Sequence, residues 1–352
     1  MEDTFFMSTA GKSSGKAPLR TKELIRHVRF SAQLAAILEA SGWPKPGNVH
    51  RTMDHSDSRY EHFLAGSIAL GSSIEEAALR GYRAAIGQIS PSKIGVGKLV
   101  KKAVREITMS HQGGNTHLGV CLLFVPLAAA APKAYVEERK IGPNDLRRSF
   151  DEVMRSTTPA DAVEVYDAIA LVGSPRGLGR VRGGGVPDLY DRQARRKILE
   201  AGISLYEVMR RSSSYDTVAS ELVTGMRVSF EIGYPELKGT FERTRDINTA
   251  TVHAFLRILS EVPDTFIARK IGFRRVDDVE EAVKIGMEET RWISEMAGRA
   301  LSLGGLTTQE GRSFIWEFDR RLQSLGKDYS PGTTADLTAA TLMIALLSGL
   351  KF

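Results

Sequence analysis

Disulfides are excluded at the outset. The 352-residue chain holds one cysteine, Cys121, so it can close no internal bridge and build no cysteine-rich metal site. That scarcity fits a reducing, cytoplasmic compartment, and within VCLLFVPLAAAA Cys121 reads as a small buried hydrophobe. Long apolar runs are also missing. The two longest, Val120–Ala131 and Leu337–Leu350, fall short of the roughly 18 residues that a membrane span needs, and Pro126 interrupts the first. The N-terminal stretch carries acids early and has no apolar core, which argues against a signal peptide. Its Ser, Gly and Lys content predicts a disordered tail over residues 1–19, with Met7 as an alternative start. Alternating β patterns of useful length, internal repeats and heptad runs are all absent, so an α/β fold would leave most of the chain unexplained.

What is present is helical. Thr21–Gly42 places Leu24, Ile25, Val28, Leu34, Ile37 and Leu38 at helical spacing and closes on glycine. Ser73 and Glu76 have capping-box spacing before Ala77–Ile89, and Pro91–Ser110 reads as one basic amphipathic helix. Leu118–Ala131 is apolar on nearly every side, which predicts a central buried helix. Thr158 before Pro159 is an N-cap followed by proline at the first helical position. Ser204–Glu207, Thr307–Glu310 and, more weakly, Asp277–Glu280 repeat the capping spacing, Asn248–Ser260 is a further helix, and Thr334–Leu350 is nearly as apolar as the central one. The expected fold is all-α: a compact globular domain of roughly a dozen helices spanning residues 20–352 behind the tail. With 42% hydrophobic residues, a substantial core is available.

Lys and Arg number 48 against 42 Asp and Glu, a net charge of +6. That mild bias suits a polyanionic small molecule or a weak attraction to nucleic acid, and decides neither. The segment Gly173–Arg192, rich in glycine and arginine, reads as a long functional loop in preference to a linker.

Four places set polar or flexible residues against helix starts. Trp43–His50 (WPKPGNVH) is a stiff turn from which Lys45 would project, followed by Asp54. Gln112–Gly119 (QGGNTHLG) gathers Asn115, Thr116 and His117 at the start of the central helix, where free N–H groups favour anions. Capping by Asn115 or Thr116 alone is the plainer alternative. Asp264–Gly272 (DTFIARKIG) carries Asp264 as a helix cap, with Arg269 off its face. Asp328–Leu337 (DYSPGTTADL) leads a Pro-Gly turn into a hydroxyl-lined helix start through Gly332, Thr333 and Thr334. There Asp336 could hold a metal or complement the helix dipole.

Together these segments resemble the triphosphoribosyl-dephospho-CoA synthase family. The resemblance rests on Pro44-Lys45-Pro46-Gly47, Gly114-Asn115-Thr116-His117 with Gly119, Asp264-Thr265 with Arg269, and Pro331-Gly332 with Ala335-Asp336-Leu337, in that order over roughly residues 33–350. It implies a transferase that moves the 5-triphosphoribosyl group of ATP to the ribose hydroxyl of 3′-dephospho-CoA and releases adenine, with Mg²⁺ on the triphosphate. Under it, Lys45, Gly47, Asn115, Thr116, Arg269, Gly332, Thr333, Thr334 and Arg176 would bind nucleotide, helped by Arg180 and Arg182. Asp54, Asp264 and Asp336 would share the carboxylate work, Asp264 and Asp336 as metal ligands, and His117 would act as general acid. The chain departs from the family at Leu118, where lysine is usual, at the loose Arg176-Gly177-Leu178-Gly179, and at Thr334, where serine is usual. The first two change the charge where a polyphosphate or acceptor would sit. They keep open a related N-glycosidic (phospho)ribosyl transfer to another acceptor. A helical nucleic-acid-binding protein using Lys93, Lys98, Lys101, Lys102 and Arg105 is a weaker alternative, since no aromatic residue interleaves with them. A homodimer stays open on the apolar helices, and no membrane partner is expected.

Overall fold

The computed structural model describes residues 19–173, 191 and 193–352. Sixteen α-helices and no β-strand occur among them. In chain order they are α1 (Thr21–Ser41), α2 (Tyr60–Ala69), α3 (Gly71–Ala85), α4 (Val96–Ser110), α5 (Leu118–Glu138), α6 (Pro143–Arg155), α7 (Pro159–Val172) and α8 (Ala194–Glu200). There follow α9 (Leu205–Ser212), α10 (Thr217–Val223), α11 (Tyr234–Thr244), α12 (Ile247–Glu261), α13 (Thr265–Gly272), α14 (Val279–Ser302), α15 (Gln309–Leu325) and α16 (Gly332–Leu347). The expectation of an all-α fold holds.

Capping chemistry explains several boundaries. Thr158 accepts from the backbone N–H of Asp161 at the start of α7, and Ser204 accepts from Glu207 at the start of α9, each reciprocated by the acidic side chain. Two caps fall one residue later than the spacing predicts, at Asp278 before α14 and Thr308 before α15. Ser73 and Glu76 cap nothing. They lie inside α3, where Ser73 donates to Glu106 and Glu76 takes Lys102. Pro91–Ser110 is also not one helix, because Gly95 at φ +71° separates a 3₁₀ turn from α4.

Helices α5 and α16 form the centre, packed on each other and on α1, as their all-round apolar surfaces require. Helix α5 continues through Pro126 and Pro132 to Glu138, well past the predicted run. By length and composition it could cross a bilayer, yet 83% of its most apolar window is buried inside the protein, as in a core helix. A smaller apolar cluster joins α12, α13, α14 and α15. Helix α12 serves both clusters, with Ala250, Ala254 and Ile258 on one side and Val252, Phe255 and Leu259 on the other. Leu19 is tied to the core, where its backbone N–H donates to the Tyr135 hydroxyl. Part of the basic face of α4 is paired within the fold: Lys101 with Glu164 and Asp167, and Lys102 with Glu76.

Candidate functional site at converging helix starts

Asp264 is the knot of the site. Its Oδ1 accepts from the backbone N–H groups of Phe266 and Ile267, each at 3.0 Å, which caps α13. Its Oδ2 accepts from the N–H and the hydroxyl of Thr334, each at 2.8 Å, in the first turn of α16. One buried carboxylate thus ties two helix N-termini together. Burial raises its proton affinity, and the four donors work against that. Beside it the Thr265 hydroxyl takes the backbone N–H of Thr217 at 3.2 Å and lies 3.5 Å from the Thr333 hydroxyl, which brings the start of α10 to the same place. Asp216, the cap of α10, sits 3.7 Å from Arg269, whose buried Nε has no protein partner.

The fourth helix start arrives through Asp336. Its carboxylate lies against the Cα of Gly119 and takes a hydrogen bond from the N–H of Val120 at the head of α5. A Cβ at Gly119 would overlap Oδ2, so only glycine lets α5 approach this closely. Burial, and then the charges of Glu39 and Asp264, push the Asp336 carboxyl well above the usual range.

Lys45 does not project. It is fully buried against Phe255 and paired with Glu39, a pair that no motif points to because Glu39 lies back in α1. Its partner was nonetheless marked: Val28, Ala32, Ala35 and Glu39 share the buried stripe of α1. Gly47, at φ +73°, packs on Leu322 and donates to Asp319 at 2.9 Å, so it anchors the turn on α15. Asp54 is exposed, accepts from Tyr60 N–H at 2.8 Å and caps α2, outside the buried group. Asn115 caps α5 through the N–H of Leu118 at 3.1 Å. Gly332 packs on Phe266. Arg176, Arg180 and Arg182 lie outside the described residues. A cleft of about 300 Å³ lies elsewhere, beside α11 and α12, where Glu236 is already held by Thr240 and Arg257.

Comparison with known proteins gives this arrangement a family. Residues 25–351 match the model of the ATP:dephospho-CoA triphosphoribosyl transferases. The chain belongs to that family. A protein from Pseudomonas fluorescens strain Pf-5, provisionally named a 2-(5''-triphosphoribosyl)-3'-dephosphocoenzyme-A synthase, is 25% identical over 332 residues, 92% of each chain. One of the same provisional name from Pseudomonas paraeruginosa PA7 is 25% identical over 313 residues, 88% of this chain and 87% of the other. A crystal structure from Archaeoglobus fulgidus, provisionally described as a triphosphoribosyl-dephospho-CoA synthase, superposes with a TM-score of 0.52 at 26% identity. It covers 80% of this chain and 99% of the other.

Within this triphosphoribosyl transferase, His117, the expected general acid, has both ring nitrogens engaged inside the fold. It is the middle of a one-way hydrogen-bond chain. Gly113 N–H donates to His111 Nδ1 at 3.1 Å, which leaves Nε2–H to donate to the Thr116 hydroxyl, also at 3.1 Å. That hydroxyl donates to His117 Nδ1 at 2.7 Å, His117 Nε2 meets Ser67 at 3.2 Å, and Ser67 donates to the carbonyl of Phe63. Both ring nitrogens are used, and burial, then the neighbouring His111, hold the imidazole pKa down to about 3. The chain fastens the Asn-Thr-His loop to α2. In an NMR titration the His117 ring should stay neutral from pH 8 to pH 5. A folded pKa below the unfolded 6.5 gives stability that is complete above 6.5 and lost as pH falls toward 3. The loss should run at about 1.4 kcal/mol per pH unit. A normal titration near 6.5 would break this account.

Proposed function

We propose that the joined starts of α5, α13 and α16 seat ATP, and that the protein moves its 5-triphosphoribosyl group to the ribose hydroxyl of 3′-dephospho-CoA. In that reaction the ribose C1′–N9 bond of ATP breaks, a C1′–O bond to the acceptor forms, and adenine leaves. The observation that carries the reading is the shared buried knot at Asp264, with the Thr265 and Thr333 hydroxyls and the unpartnered Arg269 Nε beside it. The positive dipole ends gathered at such a junction, with its hydroxyls and the Arg269 guanidinium, suit a triphosphate.

Asp336 is the carboxylate suited to the reacting carbon. Its raised proton affinity fits a group that receives the acceptor's hydroxyl proton, and its charge would stabilise an oxocarbenium-like ribose. Asp264 cannot share that work, because both its oxygens are already taken by N–H and O–H donors. The same saturation argues against Asp264 as a magnesium ligand. Among the described residues no three His, Cys, Asp or Glu side chains gather in a way that would hold a metal. Magnesium would therefore come in on the triphosphate, held by phosphate oxygens and water, as is common for this ion.

Purified protein incubated with ATP, Mg²⁺ and 3′-dephospho-CoA should release adenine only when acceptor is present, with a product mass gain equal to a triphosphoribosyl group. Adenine release that needs a different acceptor would move the reading to a related N-glycosidic transfer. No adenine under any metal condition would overturn it.

A further inference from the structure

The reaction brings two polyphosphates together, the triphosphate of ATP and the diphosphate of dephospho-CoA, and the helix junction accounts for one. Next to it lies a second group of cations to which the motifs give no role. Lys270, one residue past Arg269, holds its ammonium 3.8 Å from the centre of the Phe266 ring and donates to the carbonyl of Lys327 at 3.2 Å. No carboxylate among the described residues pairs with it, because Asp328 is engaged by Arg274 at 2.9 Å. Burial lowers the Lys270 pKa to about 8, which marks an amine short of counter-charge. Lys327 reaches Asp57 at 2.6 Å, and the carbonyl of Asp57 accepts from the N–H of Gly114 in the diglycine. His55 stands in the same group with a buried Nε2 that has no hydrogen-bond partner. Burial depresses its pKa; the charge of Asp57 and a backbone hydrogen bond at Gly47 oppose that, and the charges of Lys270 and Lys327 add to it.

These residues border the junction on two sides. Gly114 leads into α5, and Phe266, which carries Lys270, packs on Gly332 at the start of α16. We propose that Lys270 and Lys327, with His55 between the loop and the lysines, form a second anion seat that takes the diphosphate of the acceptor. A diphosphate there would give Lys270 its missing counter-charge. It would also add a second negative charge beside His55, next to Asp57, so that a protonated Nε2 could donate to it. The inference rests on the functional reading above and adds where the acceptor lies.

Calorimetric titrations of 3′-dephospho-CoA, and separately of ATP with Mg²⁺, into the wild type and the Lys270→Met, Lys270→Arg and Lys327→Met variants test it, with circular dichroism to verify folding. Lys270→Met should weaken dephospho-CoA binding about tenfold and leave ATP binding unchanged. Lys270→Arg should restore most of the loss. Lys327→Met should lose less, because Asp57 already holds part of its charge. In turnover, the same variants should raise KM for dephospho-CoA with little change in kcat. Wild-type transfer with unaltered acceptor binding in Lys270→Met would overturn the second seat and leave the function standing. An equal loss for ATP would assign the lysines to the donor and also overturn it. A wild type that binds no dephospho-CoA would overturn the functional reading, and this inference with it.

Discussion

Asp336→Asn should cut adenine release by about a thousandfold and, at pH 7 to 8, raise the melting temperature. The two effects share one cause. Asp336 is buried, the charges of Glu39, Asp264 and Asp216 add to the effect of burial, and only the N–H of Val120 is set against its four lone-pair sites. Ionised, it opposes folding; as a proton acceptor, it would do the chemistry proposed above. Asparagine keeps the shape and removes both. The sign follows from linkage. A carboxyl whose folded pKa lies above its unfolded value of 3.8 gives stability that is complete below 3.8 and lost as pH rises through the folded pKa. The advantage of the asparagine variant should therefore widen toward neutral pH and close below pH 4. Thermal melts at pH 4 and pH 7.5, beside an adenine assay, read both halves. Full activity would remove Asp336 from the chemistry, and a lower melting temperature at pH 7.5 would make it a structural group.

Such pairs of opposite effects are not visible in the sequence, which shows residue types and spacing but not which charges share a cavity. The helices were legible wherever a local signal decided them. Thr158-Pro159 and Ser204–Glu207 cap as read, because capping involves only residues three apart. Ser73–Glu76 has the same spacing and fails, because Glu106 and Lys102 on α4 compete for its side chains. Three of the four motifs meet at the helix junction, yet Lys45 and His117 make contacts that their motifs do not suggest. Lys45 sits in a turn that suggests exposure, and only the burial of Glu39 on α1 draws it inward. His117 looked like an acid–base group because its ordinary pKa is near neutral, but Thr116 and Ser67 occupy its two nitrogens. Asp216 and Lys270 were missed. Asp216 lies five residues before Glu221 in a segment without a motif, and its meeting with Arg269 depends on how α10 packs.

Asp264 offers the second large effect, on stability. Asp264→Ala leaves the N–H groups of Phe266, Ile267 and Thr334 and the Thr334 hydroxyl without their acceptor, all at a buried junction. A lost cap costs about 1 kcal/mol, and each stranded buried donor roughly 1 to 3 before relaxation. With water reaching part of the gap, a net loss of about 3 to 5 kcal/mol is expected, enough to lower the melting temperature by several degrees. Asp264→Asn should cost less. Its amide oxygen can still cap α13, while its NH₂ faces the Thr334 N–H and keeps only the hydroxyl as a partner. Measured well below its melting temperature, the folded asparagine variant should retain much of its kcat, since the role assigned to Asp264 is to hold two helix starts in register. The contrast with Asp336 decides between the two carboxylates. An Asp264→Asn protein that melts like the wild type but releases no adenine would place Asp264 at the reacting atoms after all.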